Sequence, residues 1–272
     1  MLESLWDTLG AILNFEMMSR YGWRLVDGVL ITIKLVAVSV PLGFLIAYPI
    51  CRARMSSNKL LSGAAFSYVT VFRGTPLLCQ LYLVYYGAGE IRPFLTDIGL
   101  WFLFRDAFFC CIFAFSLNTA AYQAEIIRGA LASVPRGQIE AADALGLSKF
   151  RISRHVVWPQ AFLVALRPFG NELIAMVKSS ALAAFVTLLD LLGQTRFIFA
   201  RTFDFLIYVY AAIIYLVIVE AIRRIWDLIE RWSSRHLVTA ETQASRGQDE
   251  GRISRAGGHG LSHGGSPQGQ RA

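Results

Sequence analysis

The sequence predicts an all-α integral membrane protein with five transmembrane helices. Three observations lead there. Of 272 residues, 55% are hydrophobic and only 17% charged, against about 25% charged in an ordinary soluble domain. Five apolar runs approach the roughly 20 residues that a helix needs to cross the hydrocarbon. The arginines and lysines between those runs gather on alternate faces, as a membrane topology requires.

The runs follow in order. The first spans about 28–50 (GVLITIKLVAVSVPLGFLIAYPI), with Lys34 as its one charge and Pro41 and Pro49 inside it. Lys34 is expected to snorkel or to pair within an assembly. The second covers 62–88 and is interrupted by Arg73-Gly74-Thr75-Pro76. The third covers 107–127, the fourth 157–177 with Arg167 and Glu172 inside, and the fifth 205–226. A shorter run, ALAAFVTLLDLLG at 181–193, is too short to span and reads as a re-entrant or interfacial helix.

Loop charge sets the orientation. Arg52, Arg54 and Lys59 follow the first run; Arg128, Arg136, Lys149, Arg151 and Arg154 follow the third; Arg223, Arg224, Arg231 and Arg235 close the fifth. The opposite loops are balanced by acids. The N-terminus is therefore expected outside and the C-terminus in the cytoplasm. Residues 1–24 read as a periplasmic segment. Glu3 and Asp7 stand where a leader peptide carries basic residues, so no cleavable leader is expected. From 239 to 272 the chain is rich in Gly, Ser, Gln and Arg and is expected to form a disordered cytoplasmic tail. His259 and His263 lie there as solvated low-complexity sequence rather than metal ligands.

The bulk charge of +7 flanks apolar runs, which points to a membrane surface and not to nucleic acid. Cys51, Cys79, Cys110 and Cys111 sit in or beside apolar runs without a CxxC, so neither a disulfide framework nor a zinc site is expected.

The stretch EAADALGLSKFRISRHVVWP (140–159) is the most informative in the chain. Gln138 to Leu145 are good helix formers, Gly146 is a C-terminal stop, Ser148 can cap a second helix, and Pro159 opens the fourth run. Ala141 and Ala142 leave a face without bulk, while Glu140 and Asp143 lie three residues apart on a similar side. Read from chemistry, this is either a docking knob for another protein or an amphipathic helix resting on headgroups.

The spacing carries a resemblance. Glu140, Ala141 and Ala142, then Gly146, Val156, Trp158 and Pro159, resemble the EAA signature of ABC importer permeases, with Trp158 where leucine is usual. VFRGTPLLCQLYLVYYG (71–87), LNTAAYQAEIIRGALASVPRGQ (117–138) and FGNELIAMVKSSALA (169–183) resemble the polar amino-acid uptake permeases, whose members carry histidine, glutamine, arginine and opines. The resemblance covers about residues 25–230 and implies the type-1 ABC permease fold. It implies that the 128–156 loop holds a coupling helix, with Glu140, Ala141, Ala142 and Gly146 contacting an ATP-hydrolysing subunit and Pro159 fixing the hinge. It also implies two ATP-binding subunits, a sister or identical permease, and a periplasmic solute-binding protein.

The chain itself is expected to be no enzyme. None of its four lysines follows a glycine, so GxxxxGK[ST] is absent, and ATP with its Mg belongs on a partner. HExxH and GxSxG are also missing. The alternative is a self-sufficient secondary transporter, which five spans without an inverted repeat disfavour. For the solute path, charge inside a span usually has a function. Glu172, preceded by Asn171, is either a ligand for an ammonium or guanidinium group or a structural partner of Arg167 or Lys178. Thr75 and Gln80 flank the break in the second run and face either the path or a packing kink. Glu125 and Arg128 either form part of a gate or pair with the loop, and the loop pairing is favoured.

Overall fold

The computed structural model describes the backbone of residues 15–257 and the side chains of residues 18–233. Every regular element among the described residues is helical. The first helix, α1, runs Phe15–Arg54, about 60 Å at 1.5 Å per residue. It joins part of the expected N-terminal segment and the first span in one rod, with Arg52 and Arg54 in its last turn.

The second apolar run is not one helix. It divides into α2 (Lys59–Gly74) and α3 (Leu77–Glu90), separated by Thr75 and Pro76 in extended conformation. Proline disfavours the helical region for the residue before it and removes its own donor, and here Thr75 leaves the helix. Asn58 caps α2 by accepting from the Leu60 and Leu61 amides at 3.0 and 3.4 Å. Two short helices, α4 (Arg92–Asp97) and α5 (Trp101–Phe104), make the connection to α6 (Ala107–Ala132).

α6 is the centre of the fold. Asp106 caps it through the Phe108 amide at 2.7 Å. Its window is the most buried of the long apolar helices, and it packs against α1, α2, α3 and the later α9. Ala114, Ala120, Ala121 and Ala124 are buried along it, because small side chains let membrane helices approach closely.

Beyond α6 come α7 (Arg136–Ala144), α8 (Lys149–Ile152), a π-helical turn (Ser153–Val157) and α9 (Trp158–Ser179). A 3-10 segment, Ser180–Val186, ends at Thr187, whose φ of +65° is left-handed. α10 (Leu191–Thr202) follows, capped by the buried Asp190 through the Gly193 amide at 2.9 Å. The 181–193 run is therefore no single helix. It bends at Thr187, and Ala183, Val186 and Leu191 are buried in the core.

α11 runs Leu206–Gly257. The chain forms two compact units, Met1–Trp226 and Asp227–Ala272, and α11 contributes to both. Helix continues to Gly257 where the sequence expects a disordered tail from 239, and the helix formers Ala, Glu, Gln and Arg in that stretch account for it. Residues 258–272, with His259 and His263, lie outside the described residues, as do residues 1–14.

Four helical stretches among the described residues are long and apolar enough to cross a membrane: Met18–Arg54, Ala107–Ala132, Lys149–Val186 and Leu206–Ser233. The divided α2–α3 pair is not among them.

Candidate coupling helix and translocation path

α7 follows Pro135, which holds the N-cap position in extended conformation, and ends in a Schellman turn. Leu147 N–H donates to the Ala142 carbonyl at 3.2 Å and Gly146 N–H to the Asp143 carbonyl at 2.9 Å. The turn requires a left-handed residue, and Gly146 supplies it at φ +74°. A Cβ at Gly146 would meet nothing within 4 Å in this chain, so conformation and not space demands the glycine.

The two alanines of the EAA motif part company. Ala142 is buried while Glu140, Ala141, Asp143 and Gly146 are exposed. Ile139 packs into a small cluster of Ala130, Val134, Ala161 and Ala165, joining the end of α6 to the start of α9. α7 thus rests on the bundle through one face and presents the other. Leu145 is 81% and Phe150 74% exposed, which is unusual for large apolar residues. Pro159 occupies the first turn of α9, just beyond the π-helical turn. The Gln160 side chain donates to the Val156 carbonyl at 2.9 Å, satisfying a group at that irregular joint.

The same end of the bundle is clamped by charge. Glu125 accepts from Arg128 Nη2 at 2.7 Å and from Arg54 Nε at 3.2 Å, tying the end of α6 to the end of α1. Glu125 therefore pairs within the chain, with its own helix and with α1.

Glu172 lies half-buried on α9 and accepts from the Thr119 hydroxyl of α6 at 2.8 Å. Thr119 in turn accepts from the Gln123 amide at 3.1 Å, which also donates to the Val40 carbonyl of α1 at 3.2 Å. One polar relay therefore links three helices. Gln123 Oε1, Ser39 Oγ and Ser116 Oγ are buried without a hydrogen-bond partner. Asn171 is exposed.

The break between α2 and α3 is stitched from the side. Gln80 donates to the Phe72 carbonyl at 2.9 Å and to the Thr75 hydroxyl at 2.8 Å. Asn118 of α6 donates to the Phe72 carbonyl at 3.0 Å and to Gln80 Oε1 at 2.9 Å. The carbonyls freed by Pro76 are thus satisfied by side chains, as hydrocarbon surroundings demand. Gln80 and Glu172 attach to consecutive residues of α6, Asn118 and Thr119, which project from that helix in different directions. Among the described residues, the candidate coupling residues of α7 make no hydrogen bond to Gln80 or Glu172.

Asn118, Thr119 and Gln123 were not among the sequence candidates. A signal was present: Ser116, Thr119 and Gln123 are polar residues spaced at three and four within an apolar helix, which places them on one face. Replacing Gln80 with methionine keeps the volume and removes the donors. We expect a loss of about 1–3 kcal/mol for the carbonyls left unpaired, seen as a lower melting temperature of the purified chain in detergent. An unchanged melting temperature would remove Gln80 from this structural role.

Comparison with known proteins agrees with this architecture. The family described as "Binding-protein-dependent transport system inner membrane component" matches residues 39–235. The chain is 40% identical over 215 residues to the nopaline transport system permease protein NocM of Agrobacterium fabrum, covering 79% of this chain and 89% of the relative. It is 37% identical over 164 residues to the arginine ABC transporter permease protein ArtM of Escherichia coli, covering 60% and 73%. Among solved structures, an amino acid ABC transporter with histidines matches at a TM-score of 0.70 and 36% identity, over 79% of this chain and 96% of that one. The MetNI methionine ABC transporter in an inward-facing form shares the fold, at a TM-score of 0.63.

Membership implies ATP-binding and solute-binding partner proteins and favours ATP-driven transport over a self-sufficient carrier. The match covers most of the chain, includes both the α7 loop and the α6–α9 relay, and agrees with the helical architecture: the chain belongs to the inner-membrane permease components of binding-protein-dependent ABC importers, whose ATPase resides on a separate subunit.

Proposed function

We propose that this permease moves a polar, basic amino acid or opine across the inner membrane. Relatives named for nopaline, octopine and arginine support the solute class. The observation that carries the mechanism is the relay from Glu172 through Thr119 to Gln123, a carboxylate held among three long apolar helices. A carboxylate in that position offers a counter-charge to an ammonium or guanidinium group in transit.

In this reading α2 and α3 together make the second of five spans. The N-terminus faces the periplasm and the C-terminus the cytoplasm, following the arginines at 52, 54, 128, 136 and 223. α7 is the coupling helix. Its exposed face (Glu140, Ala141, Gly146) meets the ATP-binding subunit, Ala142 seats it on the bundle, and Pro159 marks the joint through which displacement reaches α9. The assembly contains two permeases, sister or identical, two ATP-binding subunits that hold ATP and Mg, and a periplasmic solute-binding protein. No cofactor resides on this chain. Glu172 and Gln80 line the path, with Asn171 and Thr75 beside them.

The test is uptake in proteoliposomes holding the full complex. Glu172→Gln removes the counter-charge while keeping a group that Thr119 can bond. Transport of a cationic solute is expected to fall roughly tenfold, the scale of about 1.4 kcal/mol, with ATP hydrolysis retained. An unchanged rate would take Glu172 out of the path.

A further inference from the structure

A cavity of about 620 Å³ opens at the end of the bundle that carries α7, lined by Tyr48, Arg52, Phe150, Arg154, His155 and Trp158. The end of α1 and the segment from α8 through the π-helical turn into α9 build it. Tyr48 and Arg52 stand one turn apart near the end of α1, and Arg154 and Trp158 one turn apart across the π-helical turn into α9. Arg52, Arg154 and His155 carry basic groups, Ser153 adds a hydroxyl, and no carboxylate lines the space. Neither guanidinium nor the imidazole has an ion pair or hydrogen bond among the described residues. This contrasts with Arg54 and Arg128 nearby, which share Glu125. The cavity is thus a cationic mouth without its anion.

Its surroundings narrow the anion. Tyr48 and Trp158 face each other with ring centroids 6.1 Å apart, and amphipathic rings of this kind sit at the headgroup level of a bilayer. Away from the mouth the same faces turn apolar. Phe44 and Leu45 lie on α1 one turn before Tyr48, and Phe162 lies on α9 one turn after Trp158, all exposed. A cationic mouth at the helix ends, an aromatic collar and an apolar track along both helices together match an amphiphile with a negative head. Basic pockets between membrane helices take phosphate headgroups in this way.

We propose that this cavity is a binding site for the phosphate of an anionic phospholipid, held by Arg52 and Arg154 with His155 as a further donor, its acyl chains lying along Phe44, Leu45 and Phe162. Such a lipid fills the joint between α1 and α9, beside the α7 loop. The interaction is electrostatic at the head and apolar along the tail, so phosphatidylcholine, whose head carries no net charge, binds poorly.

Native mass spectrometry of the full chain tests this directly. Purified protein is titrated with phosphatidylglycerol, with phosphatidylcholine and with inorganic phosphate. One phosphatidylglycerol is expected to remain bound at concentrations where phosphatidylcholine is lost. The double variant Arg52→Gln/Arg154→Gln is expected to weaken that binding roughly 30-fold, about 2 kcal/mol at some 1 kcal/mol per basic group. Lys59→Gln, which removes a positive charge just beyond the end of α1, serves as the control and is expected to change little. Three results would overturn the proposal. An equal loss in Lys59→Gln would mean diffuse surface charge. Displacement by millimolar inorganic phosphate would make it a free-phosphate site. Release of the lipid on adding the ATP-binding subunit would assign the mouth to that protein.

Discussion

Replacing Gly146 with valine is expected to reduce ATP-driven uptake roughly tenfold or more while leaving the chain inserted in the membrane. The reason is conformational. Gly146 sits at φ +74° and closes the Schellman turn that ends α7. A β-branched residue there costs roughly 1–2 kcal/mol in the left-handed region. A penalty of that size shifts α7 away from its present position by about a tenfold change in population. The effect falls on coupling because α7 packs on the bundle through Ile139 and buries Ala142, while its outer face is exposed. Asparagine tolerates the left-handed region, so Gly146→Asn is expected to restore most of the uptake. Labelled solute accumulation in proteoliposomes, with the protein quantified in the same vesicles, separates the cases. Full-rate uptake in the valine variant would refute the docking role. Failure of valine and asparagine alike would mean that bulk at the interface, and not backbone strain, is what Gly146 avoids.

A large stability effect is expected at Gly43, where α1 crosses α6. A Cβ there would overlap the Thr119 Cγ2 methyl and approach the Ser116 carbonyl to 3.2 Å. Both partners belong to a helix buried on several sides, so neither can give way cheaply. Gly43→Ala is expected to destabilise the chain by about 1–3 kcal/mol, the usual scale of overpacking. Thr119→Ser removes the methyl and keeps the hydroxyl that serves Glu172. The double variant is expected to recover part of the loss, which makes the pair a non-additive cycle. Recovery will be incomplete, because the Ser116 carbonyl remains close. Thermal unfolding in detergent measures all three proteins. A Gly43→Ala chain that melts like the unmodified protein would contradict the close α1–α6 approach. Gly170 makes a comparable contact between α9 and α11, where an added Cβ would strike the Trp226 ring, which donates to the Leu166 carbonyl at 2.8 Å.

The α7 loop was legible in the sequence because its signals are local. A run of helix formers, a glycine and a proline act through their own backbone preferences, and the structure ends α7 at Gly146 and opens α9 around Pro159 accordingly, while Ser148 takes the N-cap position of α8 without a side-chain capping bond. The polar relay was less legible for a different reason. Hydropathy marks Glu172 as costly, but it says nothing of which helix supplies Thr119 to meet it. Residues that face lipid and residues that face another helix are both apolar, so pattern alone does not separate the two faces of a membrane helix. The same ambiguity hides the parting of Ala141 and Ala142, one exposed and one buried, within a motif that reads as a uniform small-residue patch.

The amino-acid sequence by itself determined that the chain is helical, that long apolar segments lie in a membrane, where the α7 loop starts and stops, and to which family the chain belongs. These follow from apolar length, from glycine and proline, and from spacing along the chain. Tertiary structure alone decided that the break between α2 and α3 is mended by Gln80 and Asn118, that Glu172 is held by Thr119 and Gln123, and that Arg52, Arg154 and His155 share one cavity. Each of these depends on which helices become neighbours. Pair contacts across distant segments leave no periodic trace in either segment, whereas backbone preference and burial by lipid are written residue by residue.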